Sequence, residues 1–251
     1  MASKRLEKAK ELLVQGKANK ALKFCNKVLS SKPDSYEALA LKGDCFSCLF
    51  DFKQALKYYD KALAINPNLI HVYLNKAENY LYMAEFDEAY NCGVEILDRD
   101  PTNADAWLLK GKSLYLMFKL DEALLCLDEC LKLDSNNYKA LAFKGLIFND
   151  QDKFEKAREC LDEAFLIKED DDDVLLGLSM NYYRSKDYTK ALEYADMLFA
   201  VDPEHYTAFY VSVFSLLAMG KMGDAFKMLN KALKVHPDDD CFLNLKDSII
   251  V

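Results

Sequence analysis

Seven alanines, Ala21, Ala55, Ala89, Ala123, Ala157, Ala191 and Ala225, stand 34 residues apart without a break. This constrains the fold more than any other feature of the chain, because a fixed period of that length marks one supersecondary unit stacked on copies of itself. Such a stack has no natural active-site cleft. Function is therefore sought on the surfaces that stacking creates.

Other columns keep the same period. Proline recurs at Pro33, Pro67, Pro101, Pro203 and Pro237, with Ser135 and Glu169 filling the two missing places. Twelve residues before each alanine stands Ala9, Gly43, Ala77, Gly111, Gly145, Ser179 or Val213, small in all but the last. Nine before it comes Leu12, Phe46, Tyr80, Leu114, Phe148, Tyr182 or Leu216, and three before it Ala18, Phe52, Phe86, Leu120, Phe154, Tyr188 or Met222. A small residue facing a small residue lets two helices approach closely, and the large columns fill the space around that contact. Each proline ends a unit, because it cannot continue the helix before it.

Every unit reads as two helices. Phe52, Ala55, Leu56, Tyr59, Ala62 and Leu63 fall at three- and four-residue spacings, predicting a helix over Asp51 to Leu63. Leu39, Gly43, Phe46 and Leu49 predict another over Ser35 to Leu49. A turn around Phe50 and Asp51 separates them, and Asn66-Pro67 closes the unit. No sustained period-two alternation and no Asn-Gly or Asp-Gly hairpin turn argues for strands.

These columns resemble the tetratricopeptide repeat (TPR) family, and the resemblance covers essentially the whole chain. It implies an all-α fold, an α-solenoid in which stacked helix-turn-helix units wind as a right-handed superhelix. The expected organisation is a single array over 1–251, with repeats at roughly 2–35, 36–69, 70–103, 104–137, 138–171, 172–205 and 206–237 and a capping helix at 238–251. Pentatricopeptide units, which bind RNA, have a similar length, but the unbroken period and the acidic balance argue against them.

Composition suits a continuous helical array: of 251 residues 51% are apolar and 8 are glycine. No apolar run approaches the ~18 residues that span a bilayer, and residues 1–10 hold no apolar signal core. Cys92, Cys126 and Cys160 share one repeat column, but helices ~8–10 Å apart cannot bring them to one ion at ~2.3 Å. Cys45-x-x-Cys48 and the Cys126/Cys130 pair lack a second pair or a histidine at zinc-like spacing. Eight thiols then read as small core residues of a protein in a reducing compartment, so a cytoplasmic location is expected.

The motifs of phosphate-binding loops, serine hydrolases, zinc proteases and dinucleotide-binding folds are absent from the sequence. No enzyme activity, cofactor or metal is expected. The three histidines, His71, His205 and His236, are scattered over three repeats, and His236, at a unit boundary beside Pro237, reads as structural. The acidic run Glu169 to Asp173 falls where a repeat begins, so it reads as carboxylates at a helix N-terminus.

The resemblance implies that the first helix of each repeat lines a concave groove. One groove column reads Lys10, Asp44, Glu78, Lys112, Leu146, Met180, Phe214, charged in its first half and apolar in its second. A second contains Tyr115 and Tyr183, a third ends Ala142, Leu176, Tyr210, and His71 falls in a further groove-facing column. Leu146, Met180, Tyr183, Tyr210 and Phe214 are therefore expected to form an apolar, aromatic surface for a helix or extended peptide of a partner protein. Asp44, His71, Glu78, Lys112 and Tyr115 would add polar contacts that set its register. The carboxylate clamp of TPR co-chaperones is not matched: Asn75 fits its middle element, but Ala40, Asp44, Asp105 and Leu109 stand where basic or amide residues are needed.

Residues 1–34 carry nine basic and three acidic side chains, a net +6, leaving −14 on the rest of a chain of net charge −8. That acidic body disfavours nucleic acid. In the final segment Leu243 and Ile250 fall in columns that pack on the seventh repeat, whereas Phe242 and Ile249 have no partner column. With the basic first repeat, this suggests weak end-to-end self-association. Two alternatives to a partner-binding scaffold follow: a self-assembling structural protein, or the TPR portion of a larger enzyme such as a glycosyltransferase.

Overall fold

The computed structural model describes residues 2–250, except the side chains of Ile249 and Ile250. The expectations placed on Ile249, Ile250 and Val251 lie outside the described residues. The described chain is all helix, with no strand among the described residues. It divides into two compact units, Met1–Leu133 and Asp134–Val251.

The first unit holds four helix pairs: α1 (Ala2–Val14) with α2 (Ala18–Leu29), α3 (Tyr36–Ser47) with α4 (Phe52–Ile65), α5 (Ile70–Tyr82) with α6 (Phe86–Leu97), and α7 (Ala104–Leu116) with α8 (Leu120–Leu133). The second holds three pairs and a final helix: α9 (Tyr138–Asp150) with α10 (Phe154–Ile167), α11 (Asp172–Arg184) with α12 (Tyr188–Val201), α13 (Tyr206–Ala218) with α14 (Met222–Val235), and α15 (Asp240–Ile250). Within each unit the first helices of successive pairs touch one another, α1 with α3, α3 with α5, α5 with α7, and α9 with α11, α11 with α13. Each second helix packs mainly on its neighbouring first helices, although the ring of Phe165 in α10 meets that of Tyr194 in α12 edge-on at 5.7 Å.

Every pair is closed by the same turn. In α3 the Phe50 N–H donates to the Ser47 carbonyl (2.9 Å) and the Asp51 N–H to the Phe46 carbonyl (3.0 Å), the two bonds of a Schellman ending. Equivalent pairs follow α1, α5, α7, α9, α11 and α13. The turn requires a left-handed residue, and Gly16, Phe50, Ala84, Phe118, Asp152, Lys186 and Gly220 all have φ between 57° and 73°. Several next helices begin at once on a capping side chain: the Gln54 N–H donates to Asp51 and the Lys190 N–H to Asp187.

All seven period-setting alanines are fully buried. The small column twelve residues earlier has a different role from the one expected. A Cβ on Gly43 would come within 2.4 Å of the Tyr59 ring, and one on Gly111 or Gly145 would meet Leu127 at 2.8 Å or Leu161 at 2.4 Å. At these three positions the small residue is a hole for a large knob sixteen residues later, and at Gly111 the backbone of the period-setting Ala123 also lies close, its carbonyl 3.4 Å from such a Cβ. The final helix also departs from expectation. Phe242 is fully buried with Phe209, Val213, Leu229 and Ala232, its N–H donating to Asp239 at 2.9 Å, whereas Leu243 is exposed. The described part of α15 therefore spends its large aromatic inside, and Phe242 offers nothing for end-to-end stacking.

Candidate partner-binding surfaces

In the second unit α13 is apolar all round. Ala208, Phe209, Val211 and Val213 are buried, yet Tyr206, Tyr210, Phe214 and Leu217, at three- and four-residue spacings, form another stripe that is not. Tyr210 and Phe214 lie 4.5 Å apart between ring centroids, and Tyr183 of α11 meets Tyr210 edge-on at 5.9 Å. Tyr188 of α12 stands 6.2 Å from Tyr183. Three half-buried aromatics thus share one patch on adjacent first helices, with Met180, also half-buried, one turn before Tyr183. Burial, then the neighbouring Tyr210 phenol, pushes the Tyr183 hydroxyl up to about 12, so it stays neutral and can donate or accept a hydrogen bond.

Leu146 does not belong to this exposed set. It is buried, and its Cδ2 packs close to the backbone of Gly177 of α11, 3.4 Å from where a Cβ would stand. Ala142 of the third column is fully buried too.

In the first unit Asp44 is committed internally. Tyr59 of α4 and Asn75 of α5 both donate to its Oδ1, at 2.9 and 2.8 Å. Burial raises its carboxyl above the usual range, partly offset by those two bonds. Asp44 therefore ties three helices together rather than presenting an open charge to set a partner's register, and Asn75, the one match to a carboxylate clamp, is spent on it. His71 and Glu78 are exposed on α5, and Lys112 and Tyr115 are half-buried on α7.

Two polar systems escaped the sequence reading. Lysine recurs at Lys42, Lys76 and Lys110 with the alanine period. The Lys42 ammonium donates to Asn26 at 2.7 Å and lies 4.3 Å from the Tyr58 ring, Lys76 pairs with Asp60 at 2.7 Å, and Lys110 lies over Trp107 at 4.8 Å. Lys42 and Lys76 thereby fasten a first helix to the preceding second helix. In the second unit Asn181 donates to Asn149 at 2.7 Å and to the Phe154 carbonyl at 2.9 Å, while Asn149 donates to the Gly177 carbonyl at 2.9 Å. Both systems were visible as 34- and 32-residue spacings.

The acidic run behaves as expected of a helix start, Asp171 accepting from the Asp173 and Val174 amides. The carboxylates of Asp171, Asp172 and Asp173 approach within 4.8 Å of one another. His236 Nε2 donates to the Glu204 carbonyl (3.0 Å) and the ring packs on Tyr206, a structural role. Cys25, Cys45, Cys92, Cys126 and Cys130 are buried, and burial pushes the Cys92 thiol up to about 11, away from reactivity. No helix among the described residues is long and apolar enough to cross a membrane.

Paired helices with a recurrent Schellman turn and an alanine contact define a helical-repeat protein. The family model described as Psidin, N-terminal TPR repeats region, matches residues 88–217, and that of the tetratricopeptide repeat matches residues 50–113. The chain belongs to the tetratricopeptide repeat family. In structure it is similar to a chain of the APC/C hetero-tetramer Cut9-Hcn1 (TM-score 0.87, 16% identity, 97% of this chain and 48% of the other), so it spans about half of that chain. It is also similar to a tetratricopeptide repeat protein from Parabacteroides merdae (0.78, 15%, 100% and 99%) and to pilF of Pseudomonas aeruginosa (0.69, 17%, 87% and 99%). These neighbours are α-solenoids of the expected class. No curated protein matches the chain in sequence.

Proposed function

We propose that this protein is a protein-interaction scaffold without chemistry of its own, which holds a helix or extended segment of a partner against the Tyr183, Tyr210 and Phe214 patch. The observation that carries the reading is that Tyr210 and Phe214 on α13 and Tyr183 on α11 stay half-buried together, although both helices already bury other side chains in the core. Folding alone does not require a second apolar stripe, and aromatic side chains concentrate binding energy when a partner covers them. Met180 adds adaptable apolar surface beside them. Tyr183 supplies a neutral hydroxyl able to fix the register of a bound backbone. Membership of a family with a hetero-tetrameric structural neighbour supports the same reading.

The test is affinity purification from native extract with the wild-type chain and with Tyr183→Ala/Phe214→Ala, partners being identified by mass spectrometry. The double variant should lose the partners that the wild type retains while its melting temperature stays nearly unchanged. Retention of the same partners by a folded variant would refute the reading.

A further inference from the structure

The left-handed turn residue is Gly16, Asp152, Lys186 or Gly220 in four of the seven pairs, but Phe50, Ala84 and Phe118 in the three consecutive pairs from α3 to α8. The turn needs a positive φ, which glycine supplies without strain, whereas a bulky side chain there is an outlier. Phe50 and Phe118 nonetheless sit at φ 58° with 77% and 85% of their surface exposed. Strain combined with an exposed ring serves neither the turn nor the core, and such outliers gather at functional positions.

Phe50 has aromatic neighbours, and Phe118 follows Met117 of an adjoining cleft. Phe50 meets Phe52 edge-on at 6.1 Å, and Phe52 stacks at 5.5 Å on Tyr82, itself 71% exposed. Beside them a cleft of about 350 Å³ is lined by Ala84, Phe86 and Met117 together with Glu85, Asp87 and Glu88. All lie within the first unit. Charge sets this edge apart as well. Residues 50–54, 84–88 and 118–122 carry six acidic and two basic side chains, a net −4, whereas 152–156, 186–190 and 220–224 carry four acidic and five basic, a net +1.

We propose that this turn edge is a second docking surface, which takes a cationic amphipathic segment of a partner protein. Large apolar side chains of the segment would enter the cleft and cover Phe50 and Phe118, and its lysines or arginines would face Glu85, Asp87 and Glu88. The acidic rim disfavours an acidic segment by like-charge repulsion and raises the encounter rate of a basic one.

The experiment titrates the full chain against two labelled helical peptides of ~18 residues, five turns, by fluorescence anisotropy. Both carry the same leucine face, opposite lysines in one and glutamates in the other. The lysine peptide should bind at least ~10-fold more tightly at low salt, with the gap narrowing as salt screens the rim. Phe50→Gly/Phe118→Gly should weaken it at least ~10-fold without lowering the melting temperature, since glycine suits the turn. Glu85→Lys/Glu88→Lys should shift preference towards the glutamate peptide. In the Tyr183→Ala/Phe214→Ala background the preference for the lysine peptide, and its loss with Phe50→Gly/Phe118→Gly, should persist, which separates this edge from the aromatic patch above. Equal binding of the two peptides, or full binding by the glycine variant, would overturn the proposal. So would self-association of the chain that the glycine variant abolishes, because a second copy would then cover the edge.

Discussion

Gly145→Ala is the sharpest test of the knob-and-hole reading. The new Cβ would lie 2.4 Å from Leu161 Cγ, 2.8 Å from Cδ2 and 3.1 Å from Cδ1. Cγ is the branch point, so the whole isobutyl group of α10 must move. It has nowhere to go: Leu161 is fully buried, and on its far side Gly177 of α11 is so close that a Cβ there would meet Cδ2 at 2.5 Å. One leucine is thus clasped by glycines of two successive first helices. Overpacking of this kind costs about 1–3 kcal/mol, while replacing a mid-helix glycine by alanine returns about 1 kcal/mol of helix propensity. A clash at the branch point belongs at the upper end of the first range, so the net loss should be about 1–2 kcal/mol.

Urea unfolding followed by circular dichroism reads this as a lower midpoint at unchanged slope. Amide exchange in α9 and α10 should report the same loss locally. Gly223→Ala is the control: its Cβ would meet nothing within 4 Å, so the same chemical change should stabilise α14 by up to about 1 kcal/mol. Leu161→Ala alone should cost about 2–5 kcal/mol, and Gly145→Ala combined with it should cost less than the sum. If Gly145→Ala stabilises the protein as Gly223→Ala does, the clasp is not tight and the reasoning fails.

Ala123→Leu should cost about 1–3 kcal/mol in the same assay, because Ala123 is fully buried in α8 against α7; a neutral result would place the period-setting column outside the helix contact. Asp44→Ala should cost about 1–3 kcal/mol by stranding the Tyr59 hydroxyl and the Asn75 amide, whereas Asp44→Asn, which keeps an acceptor oxygen, should cost little at neutral pH. The raised Asp44 carboxyl binds its proton more tightly in the folded state. Wild-type stability should therefore fall as pH rises from about 3.9 through the raised value, and Asp44→Asn should lack that decline. Urea midpoints across pH decide it, equal slopes for both proteins counting against the assignment.

Most of the architecture was legible because one period writes the same instruction seven times. The alanine column marked a fully buried position on every second helix, and the turn at Phe50 and Asp51 appeared where α3 gives way to α4. Reading down columns hides what happens across them, however. The pairs Gly43–Tyr59, Gly111–Leu127 and Gly145–Leu161 are complementary in size at a sixteen-residue separation, and a search along the repeat period does not compare those positions. The burial of Leu146 is likewise a matter of neighbours on the next first helix: its Cδ2 packs close to Gly177 of α11, which a reading down one column does not compare with it. Phe242 was misplaced because column logic extended to α15 a register that this helix, packing on α14 with Phe242 among Phe209, Val213 and Leu229, does not keep.

The surfaces were harder to read than the core for a physical reason. A core position is specified by volume, and volume is a property of residue type. A surface position is specified by what the backbone does with it. Phe50 and Phe118 are ordinary aromatics in the sequence, and only the left-handed turn makes them costly to place and fully presented to solvent. Asp44 shows the converse, a charge that sequence reads as available and that Tyr59 and Asn75 have already claimed. Where the repeat tolerates aspartate, lysine or glycine in the same turn, an aromatic is a choice that stacking does not dictate. Residues that depart from a period at a cost to the fold are therefore the places to look for function in a repeat protein, ahead of those that keep it.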